Sequence, residues 1–214
     1  MTRSLHGAPV LALLLWGCNH DAGSGVDAAT SPTPEVAQVG IPDTKAATSL
    51  KLVNGDQTLS LKDPLDRVFQ VFGRPKPSFE FNDLPPGFQP PYAAKGWETA
   101  REGMGAILYG DQVVAVMRQI SRTTPELFQS TLDAIRNENS DLKPNIVQGS
   151  RVTYYFWEAP PQRIMVCALS TKRDGWHVTE VLGDDTVLDV LGVSPSDARA
   201  NQPKVDHLLD AVKG

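Results

Sequence analysis

Three runs of strand-forming residues near the C-terminal end constrain this chain more than any other feature. Arg151–Glu158, Arg163–Thr171 and Trp176–Leu182 are rich in β-branched and aromatic residues, and only the short turns Ala-Pro-Pro-Gln and Lys-Arg-Asp-Gly separate them. Connections that short allow only antiparallel neighbours, because a parallel crossover needs a dozen or more residues. Earlier runs extend the pattern. Ser49–Val53 and Gln57–Leu61 flank the turn signal Asn54-Gly55, and Ala106–Tyr109 and Val113–Ile120 flank Gly110-Asp111-Gln112.

Helical signals lie between these runs. Leu65, Val68, Phe69 and Phe72 repeat at helical spacing after Asp63, a good N-cap, and Pro64, which suits a first helical turn. Gly73 and Pro75 end that helix. A second helix carries Leu127, Phe128, Thr131, Leu132 and Ile135, opened by a Thr123–Glu126 capping box or by Thr124 before Pro125. A short helix begins at Asp185 and ends near Gly192, and a last one spans about Lys204–Lys213. The fold class expected is α+β: a mostly antiparallel sheet of about five or more strands, with amphipathic helices packed on one face. Residues 49–214 form its single domain. Within it, residues 74–97 read as a long Pro- and aromatic-rich loop, since proline donates to no ladder.

The first 48 residues are of another kind. Arg3 precedes an apolar run, Val10-Leu-Ala-Leu-Leu-Leu-Trp16, followed at once by Gly17 and Cys18. The run is shorter than the ~20 residues that span a bilayer and fits the core of a cleaved secretory signal. Leu15-Trp16-Gly17-Cys18 resembles the lipobox of bacterial lipoproteins, with Trp16 departing from it where a small residue is usual. The resemblance implies a signal peptide over 1–17, a diacylglyceryl thioether on Cys18 and an acylated new amino end. Residues 18–48, rich in Gly, Ala, Ser, Thr and Pro, read as a disordered tether with a root-mean-square reach of ~30 Å. Asn19, rather than Asp, after the cysteine favours the outer over the inner membrane.

Charge narrows the partners. Loss of residues 1–17 leaves 19 Lys+Arg against 25 Asp+Glu, a formal charge of −6. That balance argues against nucleic acid and against electrostatic attachment to anionic lipid, so acyl chains on Cys18 are the expected membrane contact. With Cys18 lipidated, Cys167 has no disulfide partner.

Candidate chemistry is sparse. Cys167 and His177 are the one thiol–imidazole pair, but Ile-Met-Val-Cys-Ala-Leu around Cys167 reads as a buried strand. His20, His177 and His207 stand apart, so no metal cluster and no cofactor are expected. Asp185 reads as a helix cap, Glu98 and Glu102 as exposed carboxylates around Arg101, and Gly103-Met-Gly105 as a turn. The stronger signal is aromatic. Strand alternation puts Val152, Tyr154 and Phe156 on one face and Thr153, Tyr155 and Trp157 on the other. If helices cover one face only, Tyr155 and Trp157 are presented on the second, with Trp97 nearby. This makes Tyr155, Trp157 and Trp97 the expected partner-binding residues, unless the Pro-rich loop folds over them.

Asp63-Pro-Leu-Asp-Arg-Val-Phe-Gln-Val-Phe-Gly-Arg-Pro75 has an echo in the segment from Asp185 to Pro195. With Leu61 and Lys62 ahead of it, the same stretch resembles the helix-Gly-x-Pro signature of small outer-membrane lipoproteins of the β-barrel-assembly family (SmpA/OmlA type). Those proteins are shorter, with a helical pair before a three-stranded sheet. The resemblance implies at most an envelope-assembly role. The expected function is a non-enzymatic, membrane-anchored envelope lipoprotein that binds an envelope protein. The alternatives are a small-ligand or lipid-binding module with an apolar pocket and, third, an envelope hydrolase.

Overall fold

A computed structural model describes residues 49–74, 79–99, 101–149, 152–171 and 175–201. The lipobox, the tether and the helix expected over 204–213 lie outside the described residues. The chain opens with the hairpin β1 (Lys51–Asn54) and β2 (Gln57–Ser60), in register Leu52↔Leu59. Asn54 closes the ladder opposite Gln57, and the loop is Gly55-Asp56, with Gly55 at φ 61°. Helix α1 (Leu65–Phe72) follows, then β3 (Phe79–Phe81), β4 (Tyr92–Glu98), β5 (Glu102–Tyr109) and β6 (Gln112–Thr123). Helix α2 (Pro125–Glu138) leads into β7 (Asn145–Gln148), β8 (Val152–Ala159), β9 (Gln162–Thr171) and β10 (Gly175–Asp184), and α3 (Asp185–Val190) comes last, followed by helical residues 195–201.

The α+β class and the antiparallel sheet stand. Eight strands form one sheet in the order β3-β4-β5-β6-β10-β9-β8-β7, antiparallel at every junction. The order has an internal logic: a helix followed by a four-strand meander, twice, with the last strands β6 and β10 paired at the seam. The echo between Asp63 and Asp185 does not follow this duplication, since α2, not α3, occupies the place of α1 in the second half.

The expectation of all helices on one face is corrected. α1 and α2 pack with β1–β2 over one face, where Leu50, Leu52, Leu59, Val68, Val71, Leu132 and Ile135 meet Val116, Trp157, Ile164, Val166 and Leu182. α3 contributes Val187 and Leu188 to the other face, against Ile107, Ala115, Phe156, Met165, Cys167 and Val181. Gly183 permits the close seat of α3, because a Cβ there would lie 2.6 Å from the Leu188 side chain. The hairpin is pinned as well as packed. Leu50 N donates to Gln162 Oε1 at 3.0 Å, and Asn139 exchanges bonds of 3.1 and 3.0 Å with the backbone of Lys51.

Several local expectations change. The segment 74–97 is not all loop: β3 and β4 lie in it or begin in it, with the prolines at 85, 86, 90 and 91 confined between them. Ala93-Ala94-Lys95-Gly96 has little strand propensity, so sheet pairing rather than local preference sets it. Gly103-Met-Gly105 is not a turn but lies inside β5, paired with Gln119 and Met117. Asp63 does not cap α1. Its Oδ2 accepts from Ser60 N at 2.9 Å, and Pro64 holds the N-cap place. Asp184 rather than Asp185 caps α3, accepting from Thr186 N at 3.0 Å.

Candidate binding surface

Strand register puts the expected aromatic residues in a common frame. Trp97 on β4 pairs with Met104, Met104 with Arg118, Arg118 with Glu180, Glu180 with Val166, Val166 with Tyr155, and Tyr155 with Ile146. One row of side chains thus crosses the sheet on the face that α1, α2 and the hairpin cover. Trp97 and Tyr155 stand five strand spacings or about 24 Å apart along it, with Ile146 one strand beyond Tyr155. They are not one patch.

Trp157 sits in the neighbouring row and is 0% exposed, stacked with Tyr155 at 6.5 Å between ring centres. Its indole Nε1 is buried with no hydrogen-bond partner. The cover over this face is the hairpin and the two helices, not the Pro-rich loop, whose Leu84 and Phe88 join the opposite core. Trp97, 9% exposed, packs edge-to-face against Phe69 of α1 at 4.8 Å. Trp157 is therefore a core residue, and Trp97 a wall at the margin of the core.

The Tyr155 end differs. Tyr155 is half-buried, 6.0 Å from Phe128 of α2, and Phe128 stacks on Trp176 at 6.0 Å. Beside Tyr155, Ile146 is 52% exposed, the one large exposed apolar side chain among the described residues. Ile146 belongs to β7, whose outer edge pairs with no strand among the described residues. An apolar, aromatic step next to an open strand edge is thus the exposed feature of the fold, and Pro144 stands at its head.

The middle of the row is ionic. Arg118 donates from Nε to Glu102 Oε1 at 2.7 Å and from Nη1 to Glu180 Oε1 at 3.2 Å, and its Cζ lies 4.9 Å over the Phe72 ring. Glu102 thus pairs with Arg118, not with Arg101 as expected. Arg118 would not be picked out from sequence, because an arginine in a strand reads as solvent-facing. Glu180 is 2% exposed, and burial lifts its carboxyl to about 7 despite the pull of Arg118. A hollow of about 120 Å3 opens at the Trp97 end, lined by Phe72, Gly73, Arg74, Trp97, Glu102 and Met104.

Cys167 lies on the opposite face, fully buried, with burial pushing its thiol up to about 12. A neutral, enclosed thiol has neither the charge nor the access of a nucleophile. His177 pairs with Leu169, two residues along β10 from Thr179, the partner of Cys167. His207 and His20 lie outside the described residues. Among the described residues, no group of three or more His, Cys, Asp or Glu side chains is placed to hold a metal ion. Comparison with protein-family models, curated proteins and solved structures finds no match to the chain.

Proposed function

We propose that the protein is a lipid-anchored envelope lipoprotein whose domain binds an envelope protein without catalysing a reaction. The observation that carries the binding reading is Ile146, more than half exposed on an open strand edge beside Tyr155, Phe128 and Trp176. A strand edge supplies backbone donors and acceptors in a row, and an apolar step beside it supplies desolvation. The partner expected there is an extended segment that adds to β7 and lays an apolar side chain against Ile146 and Tyr155.

The sequence Leu15-Trp16-Gly17-Cys18 supports the location. Lipid on Cys18 would hold the domain at the membrane, with the outer membrane favoured by Asn19. In this reading the acyl chains supply the anchoring; among the described residues no helix is long and apolar enough to cross a bilayer. For the lipid-pocket alternative, two hollows among the described residues hold about 40 and 120 Å3, below the few hundred Å3 of a typical ligand pocket.

The test is recovery of a partner from detergent-solubilised membranes of the native host, using full-length protein. Wild type recovers a partner that Ile146→Lys loses at least tenfold, with both proteins melting at the same temperature. Equal recovery by the two proteins would remove β7 as the docking surface.

A further inference from the structure

The β1–β2 hairpin is a sheet of its own and lies over the eight-stranded sheet with no ladder to it. Its two ends are held differently. At the Leu50 end, Gln162 and Asn139 bind the backbone of Leu50 and Lys51 at 3.0 and 3.1 Å, and Lys51 Nζ lies 2.7 Å from Glu138. At the turn end, Asn54 Oδ1 meets Arg118 Nη1 at 3.5 Å. Asn54 also donates from Nδ2 to the Val71 carbonyl at 2.6 Å, and Arg67 donates to the Thr58 carbonyl at 2.9 Å, so hairpin and α1 are tied into one cover. We propose that Arg118 and Glu180 form a proton-dependent latch beneath this cover: protonated Glu180 keeps the hairpin and α1 seated, and loss of its proton lifts them from the Asn54 end.

The charge count at the latch is uneven. Arg118 donates to Glu102 Oε1 at 2.7 Å and to Glu180 Oε1 at 3.2 Å, so one guanidinium serves two carboxyl groups. The Glu102 side chain is 31% exposed and open to hydration, whereas that of Glu180 is 3% exposed, with Oε2 buried and unpartnered. The neighbouring elements bring no second cation to Glu180. The hairpin presents Asn54, α1 presents Phe72, whose ring lies 4.9 Å from Arg118 Cζ, and β9 presents Val166. Of the charges on the cover, Lys51 is engaged by Glu138, Arg67 by Gln57, Gln70 and the Thr58 carbonyl, and Asp66 by Arg74, while Asp56 is exposed at the turn. An ionised Glu180 is therefore a buried charge with half a partner, which is costly unless water reaches it. Ladders to β6 and β9 flank it on both sides, so water enters only where the cover parts from the sheet. Burial holds the proton up to about 7 in the closed form, and the lifted form returns the carboxyl to the ordinary range. The closed form is thus favoured in full below that range and loses ground as pH rises through about 7. Once lifted, a two-stranded hairpin and an eight-residue helix have little stability of their own, and their amides exchange.

The latch acts on the element through which the chain enters the domain and is independent of the β7 edge, so the two readings fail separately. The test is hydrogen exchange of full-length protein in micelles at pH 5.5 and 8.0, with protection corrected for the intrinsic rate at each pH. Amides of residues 52–59 and 68–72 exchange through an opening cheaper than that of the β8–β9 ladder, and their protection falls at least tenfold at the higher pH. In Glu180→Gln the fall is absent. Cover amides as protected as the ladder at both pH values, a smaller fall, or the same fall in Glu180→Gln overturns the latch. The Glu180 carboxyl carbon signal of the wild type gives a check that needs no variant. It titrates near pH 7, and titration in the ordinary glutamate range overturns the latch as well.

Discussion

Arg118 and Glu180 face each other across the β6–β10 pair, Nη1 to Oε1 at 3.2 Å, at the seam where the two four-strand meanders join. The contact fixes the register of the halves by chemistry as well as by packing. It also places a carboxyl that is 2% exposed inside the core, and that carries a pH consequence.

Burial lifts Glu180 from an ordinary glutamate value to about 7. The folded state therefore keeps its proton where the unfolded chain has released it. The contribution is fully present below the unfolded value and is lost as pH rises through about 7, by roughly 3 kcal/mol in all. Urea unfolding of wild type and Glu180→Gln at several pH values between 4.5 and 8 checks this. The difference between the two proteins shifts in favour of the variant as pH rises. Parallel pH profiles would show that Glu180 does not titrate in this window.

Trp157 and Tyr155 lie two residues apart on one face of β8, yet their substitutions separate. Trp157→Ala empties a fully enclosed site between the sheet and its cover and costs ~3–5 kcal/mol. Tyr155→Ala, at a half-buried margin, costs about 1–2 kcal/mol. Chemical denaturation of both variants measures the gap. Equal losses would mean that the hairpin and helices do not enclose Trp157.

The alternation along Val152–Ala159 was legible from residues 152–157 alone, and so were the three consecutive strands and the closure of α1 at Gly73. The cover was not. Whether a strand face meets water depends on where distant elements return, and here the returning element is a short hairpin held by Gln162 and Asn139 from over 80 residues away. Strand β4 was hidden because Ala, Lys and Gly carry no local strand signal, and β7 because four residues after a proline look like a connection. Of the three aromatic candidates, Tyr155 lies beside the exposed patch, Trp97 lines the hollow and Trp157 is core. From sequence Glu102 reads as merely exposed, since its partner Arg118 is 16 residues away on the neighbouring strand, on the same sheet face.

Arg163 is the staple of the opposite face. It is buried and donates from Nη1 to Asp189 Oδ1 and to the Val193 carbonyl, both at 2.9 Å, with Asp185 at 3.2 Å from Nη2. Arg163→Met keeps the packed stem and removes these bonds. The expected cost is ~2 kcal/mol, below that of a fully buried pair because Asp189 is largely exposed. Amide exchange over α3 and residues 193–198 rises in the variant while exchange over α2 does not. Uniform change across the domain would contradict a local staple.

The central claim, a domain held at the envelope by lipid on Cys18, is tested most directly by metabolic labelling with a radioactive fatty acid in a bacterial host. Wild-type protein takes up label and fractionates with membranes, and Cys18→Ala takes up none and keeps its signal peptide. An unlabelled wild-type protein, or equal label on Cys18→Ala, would contradict the account.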